Sequence, residues 1–309
     1  MAGKKNILLA VIALLALVFC AAGCGGNKEK DRVAYLMYND RAVFNSLIKQ
    51  EFDRIAGMHN QPVEYMDAEG DAEKQIGQLE EAVKQGIKTI VLVAVDEEKL
   101  APAVEKAVEA GVSVIAVNRH VRTPKVFGVY PDEYGAGKLQ AEYMERNLPM
   151  GARIVYLQGT ASQSSARERW EGFKERCLDR RRDVHLLDRR DGGYSREEGK
   201  RIMKEWLEKY PHVDAVVCGN DEMALGALEA LKEAGRSRGC MVSGIDATEE
   251  ALEAIAAGDM VQTVRQDAAH QAAGAYQMLD EIIRGANRQA DIVSPFVSIT
   301  KDNLAEFRK

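Results

Sequence analysis

Short apolar runs and amphipathic helical stretches alternate along almost the whole chain, and no feature restricts its possible folds more. The first series is a strand over Val33–Tyr38, a helix over Ala42–Met58, a strand over Val63–Met66, a helix over Asp71–Gly86, a strand over Thr89–Val95, a helix over Glu97–Gly111 and a strand over Val112–Val117. Each strand is a short apolar run of the kind buried on both faces, and each helix ends near glycine or a polar turn. The rhythm returns with strands at Arg153–Leu157, Val184–Leu187, Val213–Cys218 and Met241–Ile245. Between and after them come helices at Ser164–Leu178, Ser195–Lys209, Asp221–Ala234 and Glu249–Ala257. Strands that alternate with helices predict parallel sheets, so the fold class is α/β with two doubly wound, Rossmann-like units. An internal echo supports the doubling: KQGIKTIVLVAVDE at Lys84–Glu97 and KYPHVDAVVCGNDE at Lys209–Glu222 share a helix end, a breaker, an apolar strand and a terminal Asp-Glu. The last segments, Val261–Arg265, a helix over Ala268–Gly285 and a strand over Ile292–Ser298, are too few for a third unit and are expected to complete the first two.

The N-terminus bounds the destination of the chain. Lys4 and Lys5 precede sixteen apolar residues from Ile7 to Ala22. That run falls short of the roughly 20 residues a spanning helix needs, so a cleaved signal over residues 1–23 is expected. The sequence Ala21-Ala22-Gly23-Cys24 resembles a bacterial lipobox, with Ala21 where leucine is usual. Cys24 is then the lipidation site and residues 24–31 a short tether, ordinary signal-peptidase cleavage being the alternative. Anchoring to the membrane would be through lipid only, and the protein would be a periplasmic or cell-surface lipoprotein.

Losing Lys4 and Lys5 with the signal moves the formal charge from −6 to −8, an acidic balance that argues against nucleic acid as partner. Cys177, Cys218 and Cys240 remain, an odd number without close spacing, so neither a disulfide framework nor a metal site is indicated; one disulfide among the three stays open. No G-x-S-x-G elbow, P-loop or H-E-x-x-H is present, and the expectation is a non-enzymatic protein without cofactor. Gly135-Ala136-Gly137-Lys138 lacks the spacing of a phosphate loop and reads as the turn into a helix over Lys138–Asn147.

The junction after Val213–Cys218 is the first candidate site. Gly219 allows a sharp turn at the strand's carboxyl end, and Asn220 or Asp221 can cap the helix that follows or face a crevice there. The stretches LQGTASQSSARERWEGF at Leu157–Phe173, GNDEMALGAL at Gly219–Leu228 and SGIDAT at Ser243–Thr248 together resemble the ribose-binding branch of the bacterial periplasmic sugar-binding proteins. The resemblance covers essentially the whole mature chain. It implies the type I periplasmic binding fold, with two lobes joined by three crossovers. The expected lobes are residues 32–131 plus 267–293 and residues 132–266 plus 294–309. It also implies a monomer that captures a monosaccharide or polyol by hinge closure and delivers it to the permease of an ABC importer, the alternative being a receptor that presents its sugar to a chemotaxis or kinase partner.

The same resemblance carries ligand positions onto this chain. Arg167 would donate to ring and hydroxyl oxygens, Asn220 and Asp246 would form a paired amide and carboxylate, and Asn118, Arg119 and Gln266 would complete the polar set. Phe44 and Tyr194 would sandwich the apolar faces of a sugar ring. Departures gather on the first-lobe face, where Asp40-Arg41-Ala42-Val43-Phe44 replaces an Asn-Asn-Pro-Phe-Phe loop and Val93 replaces an asparagine. The ligand is therefore expected to differ from plain ribose, with Arg41, Tyr38 and His120 reading an added group such as an acidic or phosphate substituent.

Overall fold

The buried strand runs do form parallel sheets, and they form two of them. In the computed structural model, which describes residues 32–286 and 290–308, the elements in chain order are β1 (Val33–Met37), α1 (Val43–Met58), β2 (Val63–Asp67), α2 (Ala72–Lys84), β3 (Thr89–Leu92), α3 (Ala101–Glu109), β4 (Ser113–Val117) and β5 (Phe127–Pro131). There follow α4 (Glu133–Asn147), β6 (Arg153–Gln158), α5 (Ser164–Phe173), β7 (His185–Asp191), α6 (Arg196–Lys209), β8 (Ala215–Cys218), α7 (Asp221–Glu233), β9 (Met241–Ile245) and α8 (Glu249–Ala257). The chain ends through β10 (Gln262–Arg265), α9 (Ala268–Ile283), β11 (Ile292–Ser294), β12 (Val297–Thr300) and a short 3₁₀ turn, Leu304–Glu306. The predicted signal peptide, tether and lipidation residue Cys24 lie outside the described residues.

The first sheet has strand order β11-β5-β4-β3-β1-β2 and the second β12-β10-β9-β8-β6-β7. The orders match place for place, so β3 and β8, the strands of the sequence echo, hold equivalent central positions. Every residue of both is buried, as expected where helices cover both faces of a sheet. Pairing is parallel throughout except at the edge, where β12 runs antiparallel to β10, Arg265 opposite Val297. The chain passes between the sheets three times: from β5 into α4, from β10 into α9, and from β11 into β12. This is the type I periplasmic binding fold.

Several boundaries differ from the sequence reading, each for a local reason. Strand β5 was not anticipated, because Gly128 and Pro131 are poor strand residues; proline is tolerated here because pairing with β4 stops at Val129, so no ladder bond on that side needs its N–H. The single strand expected over Ile292–Ser298 is two, broken around Pro295 and Phe296, with β11 in one sheet and β12 in the other. The expected turn at Gly135–Lys138 lies inside α4, which starts at Glu133 and is capped by Asp132 through its acceptance of the Gly135 N–H. Gly137 is needed there, since a β-carbon on it would stand 2.0 Å from the Arg169 carbonyl oxygen of α5. The two helices can therefore approach closely, which places Glu133 beside Arg169. Helix α5 runs on through one wider, π-type turn, Lys174–Leu178. The three remaining cysteines are buried and free. Among the described residues, no helix is long and apolar enough to cross a membrane.

Candidate functional site

Parallel strands in both sheets end in loops that meet across a cleft of about 630 Å³, within the usual size range of small-molecule sites. Eight of the nine positions inferred from sequence line it: Arg41, Phe44, Asn118, Arg119, Tyr194, Asn220, Asp246 and Gln266. They come from the loop before α1 and its first turn, the end of β4, the loop before α6, the start of α7, the end of β9 and the end of β10. Three of them, Asn118, Tyr194 and Asp246, carry positive φ angles of 66°, 60° and 123°. Non-glycine residues in this region cost about 1–3 kcal/mol each and survive where the surroundings hold them. Here the strain falls on the side chains aimed at the cleft.

Arg167 does not line the cleft. Its guanidinium donates to the carbonyls of Ser162 (2.7 Å) and Ala161 (3.3 Å) and lies 3.8 Å from Glu97. Two residues along a helix is a rotation of about 200°, so Arg169 faces the other way. Arg169 is 4% exposed and lines the cleft, donating through Nη2 to Glu133 Oε1 (3.1 Å), through Nε to Glu133 Oε2 and through Nη1 to the Gly219 carbonyl (2.6 Å). The signal was present in the periodicity: Ala166, Arg169, Trp170 and Phe173 form the buried face of α5, the i, i+3, i+4, i+7 pattern of an inward stripe.

A chain of amides and one carboxylate crosses the cleft. Asn118 Nδ2 donates to Gln266 Oε1 (2.6 Å) and Gln271 Oε1 (3.1 Å), and Gln266 Nε2 donates to Asp246 Oδ1 (3.2 Å). Asn118 belongs to the first lobe, Asp246 to the second, and Gln266 sits where the chain passes between them. Asp246 Oδ2 is left without a protein donor among the described residues, free to accept from a guest. Burial pushes the Asp246 carboxyl well above its ordinary range; Asp221 and Glu133 add to this, while Arg169 and the Gln266 amide oppose it.

Asn220 serves two purposes at once. Its Oδ1 accepts the Met223 N–H and caps α7, and its Nδ2 reaches the Tyr194 carbonyl at 3.3 Å. The cap thus fixes the orientation of the amide. Beside it Asp221, fully buried, accepts from Thr263 Oγ1 (2.7 Å), the Thr248 N–H (2.8 Å) and Thr248 Oγ1 (3.2 Å). It fastens the Asp246 loop from beneath, and burial pushes its carboxyl up to about 7 against those donors.

The aromatic seats are equally determined. Tyr194 pairs its hydroxyl with Ser165 Oγ at 2.8 Å, and its ring lies over Gly159, where a β-carbon would fall 2.0 Å from ring carbon Cζ. Arg119 stacks its guanidinium 3.8 Å from the centre of the Tyr38 ring, and burial holds its pKa below the usual arginine value. His120 turns away from the cleft, stacking on Tyr130 at 3.8 Å and lining a separate depression with Glu97 and Arg122. It cannot read a ligand substituent from there.

The charges lining the cleft are balanced. The first lobe contributes Arg41 and Arg119; the second contributes Arg169 and Arg196 together with Glu133, Glu197, Glu222 and Asp246. A net positive face therefore opposes a net negative one. Outside the cleft the lobes also touch through Glu97, whose Oε1 accepts the Ser164 N–H (2.8 Å) and the Ser164 hydroxyl at the start of α5. Glu133, Gln163, Ser165 and Arg169 all line the cleft but were absent from the sequence reading. Among the described residues there is no cluster of three metal-ligating side chains.

The description "Periplasmic binding protein domain" belongs to the family model that matches residues 33–287. The xylitol-binding protein of Mycolicibacterium smegmatis is 32% identical over 293 residues, spanning 94% of this chain and 83% of that protein. The ribose import binding protein of Bacillus subtilis is 29% identical over 87% of each chain. Among solved structures, the myo-inositol binding protein of Caulobacter, bound to myo-inositol, superposes with a TM-score of 0.86 at 29% identity, covering 92% of this chain and 98% of that one. These relatives are solute-binding proteins, not enzymes. With its paired six-stranded sheets and a polar cleft between them, the chain belongs to the periplasmic binding protein family, in the ribose-binding branch that serves sugar and polyol ABC transporters.

Proposed function

We propose that the protein captures a monosaccharide or polyol in this cleft by closing its two lobes, and hands it to the permease of an ABC importer. One observation carries the reading: the hydrogen-bonded chain Asn118–Gln266–Asp246 joins side chains of both lobes across the cleft. A guest that bonds to both ends favours the closed form over the open one, because only closure offers it all its partners. The opposed charges of the two faces, and the bond from Ser164 to Glu97, favour the same motion. The moving bodies are residues 32–131 with 267–293, and residues 132–266 with 294–309. The protein works as a monomer held at the membrane by lipid on Cys24.

Relatives that bind xylitol, myo-inositol and ribose support the ligand class, and the altered first-lobe face supports a ligand other than plain ribose. Where two stacking aromatics are expected, Phe44 lines the cleft beside Val43 and Arg41, a looser apolar seat suited to an acyclic polyol or a cyclitol. The test is calorimetry over pentoses, hexoses, pentitols and inositols. A pentitol or inositol is expected to bind more tightly than ribose; ribose binding above all others rejects the ligand assignment, and no binding in any class rejects the function.

A further inference from the structure

The notable feature of the cleft is an arginine that has been cancelled. An unopposed guanidinium, buried at the floor of a cleft, is a site for carboxylate or phosphate, since its fork matches two acidic oxygens. Arg169 is buried in that way, but Glu133, itself 4% exposed, already occupies its Nε and Nη2 edge, and the Gly219 carbonyl takes Nη1. Three of the five N–H donors are spent inside the protein. Two remain for a guest, and they come without net charge.

From this pairing we infer that Glu133 is a specificity-determining residue: by neutralising Arg169 it admits uncharged polyhydroxylated ligands and excludes their acidic counterparts. The inference rests on the proposed capture of a sugar or polyol and deepens it. A carboxylate on the ligand placed against Arg169 would also face the Glu133 carboxylate already bound to the same guanidinium. Like charges brought together in a desolvated site are strongly disfavoured. A hydroxyl has no such conflict, because it can accept from Arg169 and donate to Asp246. The geometry is rigid on both sides, since Glu133 opens α4, Arg169 lies on α5, and Gly137 lets the two helices touch. Arg196 is treated similarly, its guanidinium held by Glu222 at 2.9 Å. The second lobe therefore shows a guest donors without free positive charge.

The experiment compares matched neutral and acidic pairs: xylitol with xylonate, ribose with ribonate, and glucose with glucuronate. Each is titrated into the wild-type protein and into Glu133→Gln, which removes the charge but keeps an acceptor for Arg169. The expected result is that the wild type prefers the neutral member, and that Glu133→Gln shifts the ratio toward the acid by about tenfold or more. Glu133→Asp, which keeps the charge, must retain the preference. Where Glu133→Gln does not fold, the shorter amide Glu133→Asn takes its place. A wild type that binds acid and neutral members equally, or an amide variant with an unchanged ratio, overturns the inference and leaves the capture function standing. If no member of any pair binds the wild type, both fall together.

Discussion

Arg167 and Arg169 stand two residues apart in the same helix, and the structure assigns them opposite fates, so exchanging each for lysine discriminates sharply. Arg169→Lys keeps the charge beside Glu133 but loses the fork. An ammonium cannot span both Glu133 oxygens, the Gly219 carbonyl and a guest at once, so at least one buried hydrogen bond goes unmade. An unsatisfied group in a closed cleft costs about 1–3 kcal/mol, or roughly a five- to 150-fold loss of affinity. Folding should survive, because the buried carboxylate keeps a counter-charge; Arg169→Ala would leave it bare, at about 3–5 kcal/mol. Arg167→Lys, by contrast, alters an exposed side chain held by two loop carbonyls and a distant carboxylate. Its effect on stability should stay below about 1 kcal/mol and its effect on affinity within a few fold. Calorimetry with the preferred polyol, together with a thermal melt of each variant, reads both quantities. The reasoning is refuted if Arg167→Lys weakens binding more than Arg169→Lys does.

Two further outcomes follow from the same geometry. Glu97 accepts from Ser164 across the lobes yet does not line the cleft, so Glu97→Ala should weaken ligand binding by about tenfold through the closing equilibrium alone. Unchanged affinity would show that this contact does not contribute to closure. Asp221, raised to about 7 by burial, binds its proton more tightly in the folded state than in the unfolded chain. Its contribution to stability is therefore fully present below about pH 4 and is lost as pH rises through about 7, by at most about 4 kcal/mol. Melting temperatures recorded across that range should fall for this reason, and the fall should flatten in Asp221→Asn; a wild-type slope of opposite sign, or an unaltered slope in the variant, contradicts the assignment.

What could be read from the chain alone followed from burial. Strands such as Thr89–Leu92 and Ala215–Cys218 are covered on both faces, so their composition announces them, and the residues just past such strands, Asn118, Asn220 and Asp246, fall at the cleft because parallel sheets open there. The failures are of another kind. Strand β5 carries Gly128 and Pro131 because its place in the sheet tolerates them, which no local propensity reveals. Glu133 was hidden because glycines at 135 and 137 suggest a turn, whereas Gly135 makes room for the Asp132 cap and Gly137 lets α4 lie against α5. His120 follows two cleft residues in sequence, but Asn118 takes a left-handed backbone conformation, and the chain beyond Arg119 turns the imidazole onto Tyr130.

The three passages between the sheets, at Pro131–Asp132, Gln266–Asp267 and Ser294–Val297, bear on how the molecule can be watched at work. A single connection would let two bodies tumble freely, but three side by side leave them little except a swing about one line. Under the proposed closure, the distance between two labels on opposite lips tracks the whole movement, so that one fluorophore pair converts occupancy into an optical signal.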